Sequence, residues 1–123
     1  VKIPSDFFKE ARSICREEVE CVAFLFGVGG EVKKWRWMKN AARSKYAFRL
    51  DPEEIYIAFL EAAELEHVAI FHTHPGEPVP SPIDIYYMGL WRVVWIIADI
   101  YTWRVAAWRV RERKLEKVEI YIE

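Results

Sequence analysis

His67-Val68-Ala69-Ile70-Phe71-His72-Thr73-His74-Pro75 reads as a buried strand that runs out into a loop. The apolar run Val68 to Phe71 has no polar alternation, which fits a strand covered on both faces, with histidines where it emerges. Residues two apart on a strand point to the same side, so His72 and His74 can approach one ion together. A loop from Gly76 to Pro80 follows, and then Ser81-Pro82-Ile83-Asp84. Two imidazoles and the Asp84 carboxylate are three ligands that suit zinc. Three protein ligands leave a fourth position for water, which separates a catalytic zinc site from a structural one.

Each part also has a plainer reading. A lone histidine at a strand end is more often packed or capping; two at this spacing favour a metal. Ser81-Pro82-Ile83-Asp84 is a capping-box-like helix start in its own right. The two readings coincide geometrically. The N-cap and the residue three positions on share one side of the first turn. Asp84 can then reach the metal while the Ser81 hydroxyl points into the same pocket.

Outward from this segment, local signals place the other elements. Ser5 can cap a helix to about Glu18, with Phe7, Phe8, Ala11 and Ile14 as its apolar stripe. Glu20 to Phe26 and Val32 to Met38 read as strands joined through Gly27, Gly29 and Gly30. Lys45 to Leu50 reads as a third strand. Asp51-Pro52-Glu53-Glu54 starts a helix that runs to about Glu66. A short helix from Ser81 fades at Gly89. Val93 to Ala98, Thr102 to Arg111 and Leu115 to Ile122 read as strands, the last two joined by a tight charged turn. The order α-β-β-β-α-β-α-β-β-β predicts an α/β (α+β) fold, a central mixed sheet flanked by helices, as a single domain over residues 1–123.

Composition narrows the function classes. The 123 residues are 53% hydrophobic and 15% aromatic, enough for one real core. The net charge is -1, and the basic residues Arg104, Arg109, Arg111, Arg113 and Lys114 are interleaved with Glu112, Glu116 and Glu119. That is a solvated strand face, not a nucleic-acid footprint. The best membrane candidate, Val93 to Ile100, is flanked by Arg92 and interrupted by Asp99. No signal peptide opens the chain, so a cytoplasmic protein is the expectation. The absence of Gln, a single Asn (Asn40) and 30% charged residues resemble a hyperthermophile's composition. Cys15 and Cys21 have neither CxxC nor zinc-finger spacing. Two free buried thiols are expected, with a disulfide left open because hyperthermophile proteins are an exception to the reducing-compartment rule.

A zinc hydrolase also needs a group to take the proton of the attacking water and pass it to the leaving amine. No glutamate neighbours His72 or His74. Glu77 lies in the loop. Glu20 starts an apolar strand and shares parity with Val22, Phe24 and Phe26, so pairing with the His67 strand could bring it to the metal. By periodicity alone it is an ordinary strand-edge charge.

Taken together, Glu20, His72-Thr73-His74-Pro75 and Ser81-Pro82-Ile83-Asp84 resemble the JAMM (MPN+, Mov34/JAB) metalloprotease signature. That signature is a glutamate on an early strand, His-Ser/Thr-His, and Ser-x-x-Asp. The stretch Glu20 to Gly27 matches the family's glutamate, apolar run and glycine. The resemblance implies the JAMM/MPN, cytidine deaminase-like architecture. It implies one Zn²⁺ held by His72, His74 and Asp84, with Glu20 as general acid/base and Ser81 stabilising the oxyanion. It implies hydrolysis after the C-terminal Gly-Gly of ubiquitin-like modifiers and their conjugates, without a covalent acyl-enzyme. The chain is near the minimal core and looks like archaeal members that release small modifiers doubling as sulfur carriers. A Gly-Gly tail would lie extended beside the site and add a strand to a sheet edge.

One departure is that six residues, Pro75 to Pro80, separate His74 from Ser81, where the family usually has seven. Bacterial RadC proteins resemble this His-x-His-Pro…Pro-Ser-Pro-x-Asp segment more closely in residues, but carry extra regions this chain lacks. A hydrolase for sulfur-carrier precursors or carrier adducts would use the same residues. An inactive MPN scaffold would have lost ligands that this chain keeps. A deaminase would need Pro-Cys-x-x-Cys, which is absent. Six tryptophans are many for this length, and Trp35 with Trp37, or Trp91 with Trp95, could share a strand face. Core packing is the plain reading; an exposed aromatic patch for a homodimer or for the modifier is the other.

Overall fold

A computed structural model describes residues 1–123 as one eight-stranded mixed sheet with three helices. The elements are β1 (Lys2–Ile3), α1 (Ser5–Ile14), β2 (Val22–Val28), β3 (Glu31–Met38), α2 (Pro52–Ala62), β4 (Glu66–His74), α3 (Pro82–Leu90), β5 (Val94–Asp99), β6 (Val105–Arg111), β7 (Lys114–Val118) and β8 (Tyr121–Ile122). The strand order is β7-β6-β5-β4-β2-β3-β1-β8. β4 lies between antiparallel β2 and parallel β5, so the strand read first from the sequence is central to the sheet.

Its two faces carry separate cores. Phe7, Phe8 and Ala11 of α1 pack with Ala23, Leu25, Ala69, Phe71, Ile96 and Ala98 on one face. Val22, Phe24, Phe26, Ile70 and Trp95 meet Ala58 and Ala62 of α2 and Met88 of α3 on the other. The period of two that predicted strand faces puts His72 and His74 on the α2/α3 side, in line with Ile70.

Local chemistry sets the turns and caps. Gly29 and Gly30 both have positive φ, 57° and 78°, and form the two-residue β2–β3 hairpin loop. Gly27 sits at a register shift where a Cβ would lie 1.8 Å from the Glu31 carbonyl oxygen, so no side chain fits. Asp51 caps α2 by accepting a hydrogen bond from the Glu53 amide at 2.8 Å, with Pro52 in the first turn.

Four expectations are corrected. Lys45 to Leu50 is not a strand. This stretch is an irregular loop: Asn40 holds it at Ala47 and Arg49, the Ala41 amide donates to the Arg49 carbonyl, and Ser44 just before it accepts the Glu20 amide, in place of a ladder. The first helix stops at Ile14, short of Glu18, and the chain reverses there. That reversal brings Cys15 and Cys21 to a Cα separation of 5.5 Å, where they form a disulfide in place of the expected free thiols. The Leu115–Ile122 stretch divides into β7, paired with β6, and β8, which crosses to the opposite edge and pairs with β1.

The tryptophan patch also resolves. None of the six tryptophans is fully exposed. Trp35 and Trp37 pack on Phe7, and Trp95 is buried against Phe48 and His72. The exposed aromatics are instead tyrosines such as Tyr56, Tyr86 and Tyr87 on α2 and α3. No helix is long and apolar enough to cross a membrane.

Candidate metal centre

The register of β2 against β4 assembles the site. Val22 pairs with His72, so Glu20, two residues earlier on the same face, arrives beside the imidazoles. Thr73 points to the other face, and its hydroxyl accepts the Cys21 amide at 2.9 Å. The Thr73 amide donates to the Cys21 carbonyl at 3.1 Å. The middle residue of His-Thr-His thus fastens the Glu20–Cys21 segment to β4.

His72 is fully buried, and its ring lies 4.8 Å from that of His74. Phe48 and Trp95 close around it at 5.3 and 5.6 Å. Ligand atoms of Glu20, His72 and His74 all lie within 4.8 Å of one another. From α3, Asp84 Oδ2 is 3.0 Å from His74 Nε2, and Oδ1 is 3.8 Å from His72 Nε2. Helix capping aims this carboxylate. Ser81 Oγ accepts the Asp84 amide at 3.2 Å, and Asp84 Oδ2 accepts the Ser81 amide at 2.9 Å. The shortened spacer therefore closes. Trp108 donates its indole N–H to the Pro78 carbonyl at 2.9 Å, and Arg104 meets Glu77 at 3.4 Å.

Electrostatics follow from this packing. Burial opposes ionisation of Asp84. The His74 hydrogen bond, the His72 charge and the Ser81 amide outweigh it and bring the carboxyl down to about 2. Burial likewise pulls His74 down, yet the hydrogen bond and charge of Asp84, with Glu20 beyond, hold its pKa above the ordinary value.

The residues also fit a metal on one further observation. Both carboxylate oxygens of Glu20 and both ring nitrogens of His72 are buried without a hydrogen-bond partner. Glu20 Oε1 and His72 Nδ1 face each other closely but lack hydrogen-bond geometry. Buried polar atoms are almost always paired; a cation at this cluster would satisfy the one lone pair that the His72 ring offers, and water held beside it would give the Glu20 oxygens a donor.

All five residues singled out from the sequence, Glu20, His72, His74, Ser81 and Asp84, thus meet at one place. Glu77 is exposed and turned to Arg104. Sequence reasoning missed Thr73 and Asn40, although the middle position of the histidine pair and the chain's single amide were the available signals. It also missed a largely apolar cavity of about 290 Å³ behind the Phe48 and Trp95 rings that pack on His72, walled further by Arg49, Leu50, Ile55, Tyr87 and Trp91.

Residues 7–111 match the model of prokaryotic homologs of the JAB domain. The chain belongs to the JAMM/MPN family. A desampylase from Pyrococcus furiosus is 35% identical over 126 residues, covering 98% of this chain and 89% of that protein. Among solved structures, a protein from Desulfitobacterium hafniense superposes with a TM-score of 0.79 at 18% identity, covering 99% of this chain and 92% of that one. A JAB1/MPN domain protein from Archaeoglobus fulgidus superposes at 0.60 and 20% identity, covering 99% and 98%. These two share the fold. With the family come hydrolase activity of the isopeptidase kind and a metal-dependent chemistry, to which the Glu20–His72–His74 cluster corresponds.

Proposed function

We propose that this JAMM/MPN chain, acting as a single domain, is a zinc-dependent isopeptidase. It hydrolyses the bond after the C-terminal Gly-Gly of ubiquitin-like modifiers joined to other proteins. The observation that carries the reading is the convergence of unpartnered Glu20 and His72 atoms beside His74 and Asp84. The relative named desampylase supports the choice of substrate.

His72, His74 and Asp84 would hold the ion, and two imidazoles with a carboxylate suit zinc. Bound there, zinc would polarise the scissile carbonyl and make water acidic enough to attack at neutral pH. Glu20, its oxygens free of other bonds, takes the proton of the attacking water and returns it to the leaving amine. Ser81 Oγ already accepts one amide as the cap, so its own hydrogen remains to donate to the developing oxyanion. The terminal glycines of the tail, having no Cβ, leave room for close approach to a buried centre. The largely apolar cavity behind Phe48 and Trp95 would take a larger side chain upstream. The sheet edges are β7 and β8, so a tail at the end of β4 would lie along the 41–50 loop, not extend the sheet.

The test is incubation with a ubiquitin-like protein joined through its terminal Gly-Gly to a lysine of a second protein. Cleavage that stops with a chelator and returns with zinc is expected. Chelator-insensitive cleavage would overturn the metal mechanism, and no cleavage of any such conjugate would overturn the substrate class.

A further inference from the structure

We infer that Asn40 is a positioning residue for Glu20, acting on it through the backbone. The inference rests on the reading of Glu20 as the proton carrier. Asn40 is the only side-chain amide in a chain without Gln, and it is buried at 7% exposure. The two protons of its Nδ2 serve the carbonyls of Glu20 at 3.1 Å and Ala47 at 3.0 Å, with the Ser44 carbonyl at 3.3 Å sharing one of them. Its Oδ1 accepts from the amides of Ala42 at 3.0 Å and Arg49 at 3.1 Å. Three acceptors on one side and two donors on the other fix the amide's orientation, since a flipped group would face like with like.

The arrangement matters because of where Glu20 sits. It precedes the first residue of β2, beyond the end of the regular ladder. Its amide donates to the Ser44 carbonyl at 2.7 Å, and its carbonyl is taken by Asn40. The 40–49 loop thereby supplies both halves of a strand pairing that no strand provides. On the far side, Cys21 is held by Thr73 and by the disulfide to Cys15. Glu20's carboxylate is buried against His72 without a hydrogen bond to hold it, so its placement leans on the backbone that carries it. A loop anchor alone would need the links to Ala42, Ser44, Ala47 and Arg49. The link to Glu20 goes beyond that need and reaches the residue whose placement limits proton transfer.

Asn40→Asp separates the two roles. It keeps an acceptor for Ala42 and Arg49 but turns an oxygen toward the Glu20 carbonyl. On the isopeptide-linked conjugate, kcat is expected to fall by at least tenfold, up to about 10²-fold, with KM and zinc stoichiometry unchanged. Amide hydrogen exchange at Glu20 should rise in the metal-free protein. In a Glu20→Gln background the same change should cost nothing further, because it acts through a group already removed. If Glu20→Gln itself leaves kcat intact, the reading of Glu20 falls. If Glu20→Gln abolishes turnover while Asn40→Asp retains wild-type kcat, the inference falls alone. Should Asn40→Asp not fold, Asn40→Ser keeps one donor at shorter reach; an intermediate kcat supports the inference and a wild-type kcat overturns it.

Discussion

His67 and His72 stand on the same strand, five residues apart, in opposite chemical surroundings. His72 has Glu20, His74 and Asp84 about it. His67 has no carboxylate beside it: apart from the Ala69 backbone it meets rings, Phe24 at 4.6 Å, Phe26 and Phe59 at 5.2 Å, and Trp91 at 5.8 Å. Both have a buried nitrogen without a partner. At His72 that orphan faces other orphans and carboxylates, which is a binding site. At His67 it faces aromatic carbon, which is a packed imidazole kept neutral. Burial of a histidine therefore says little; the charge gathered around it decides its use.

The sharpest way to break this contrast is to remove each ring in turn. His72→Ala is expected to abolish both bound zinc and hydrolysis. His67→Phe, which fits an aromatic box, should leave zinc at about one per chain and turnover near wild type. Elemental analysis of the purified variants checks this; zinc retained by His72→Ala would dissolve the distinction.

A smaller effect concerns acid. Burial lowers the His67 pKa from 6.5 to about 4, against a weaker opposing pull from the Ala69 backbone. Below pH 6.5 the unfolded chain takes up a proton that folded His67 refuses. The stability held by the neutral ring is thus complete above 6.5 and drains away as pH falls toward 4, by about 3 kcal/mol. Thermal melts from pH 7 to 4 should show wild type losing ground relative to His67→Phe across that window. Parallel curves would mean the ring is more solvated than its packing indicates.

The least effect is expected from thiol reagents. Iodoacetamide should leave activity unchanged, because Cys15 and Cys21 are joined. Inactivation without added reductant would place a free thiol at the site end of the molecule.

The sequence disclosed those features whose signals are local. The β4 run, the Pro52 and Ser81 helix starts and the His72–His74–Asp84 spacing needed only neighbours. Parity with Val22, Phe24 and Phe26 only allowed Glu20 to reach the site; the resemblance to the JAMM signature singled it out, and the Val22–His72 register brings it there. What lay hidden depended on distant partners. Tyr46 and Phe48 alternate like a strand, yet the backbone beside them, at Ser44, Ala47 and Arg49, is claimed by Asn40, whose contacts no periodicity reveals. β1 and β8 are two residues each and exist through pairing, β1 with β3 and β8 with β1. The cysteine pairing turned on where α1 stops.

The central place of β4 has one more consequence. A strand hydrogen-bonded on both edges and covered on both faces opens only when most of the sheet does. Native-state exchange should therefore rank the amides of Ile70, Phe71 and His72 among the slowest in the chain. The histidines would then be rooted in the last segment to come apart on warming, so that losing the ion and losing the fold are separate events.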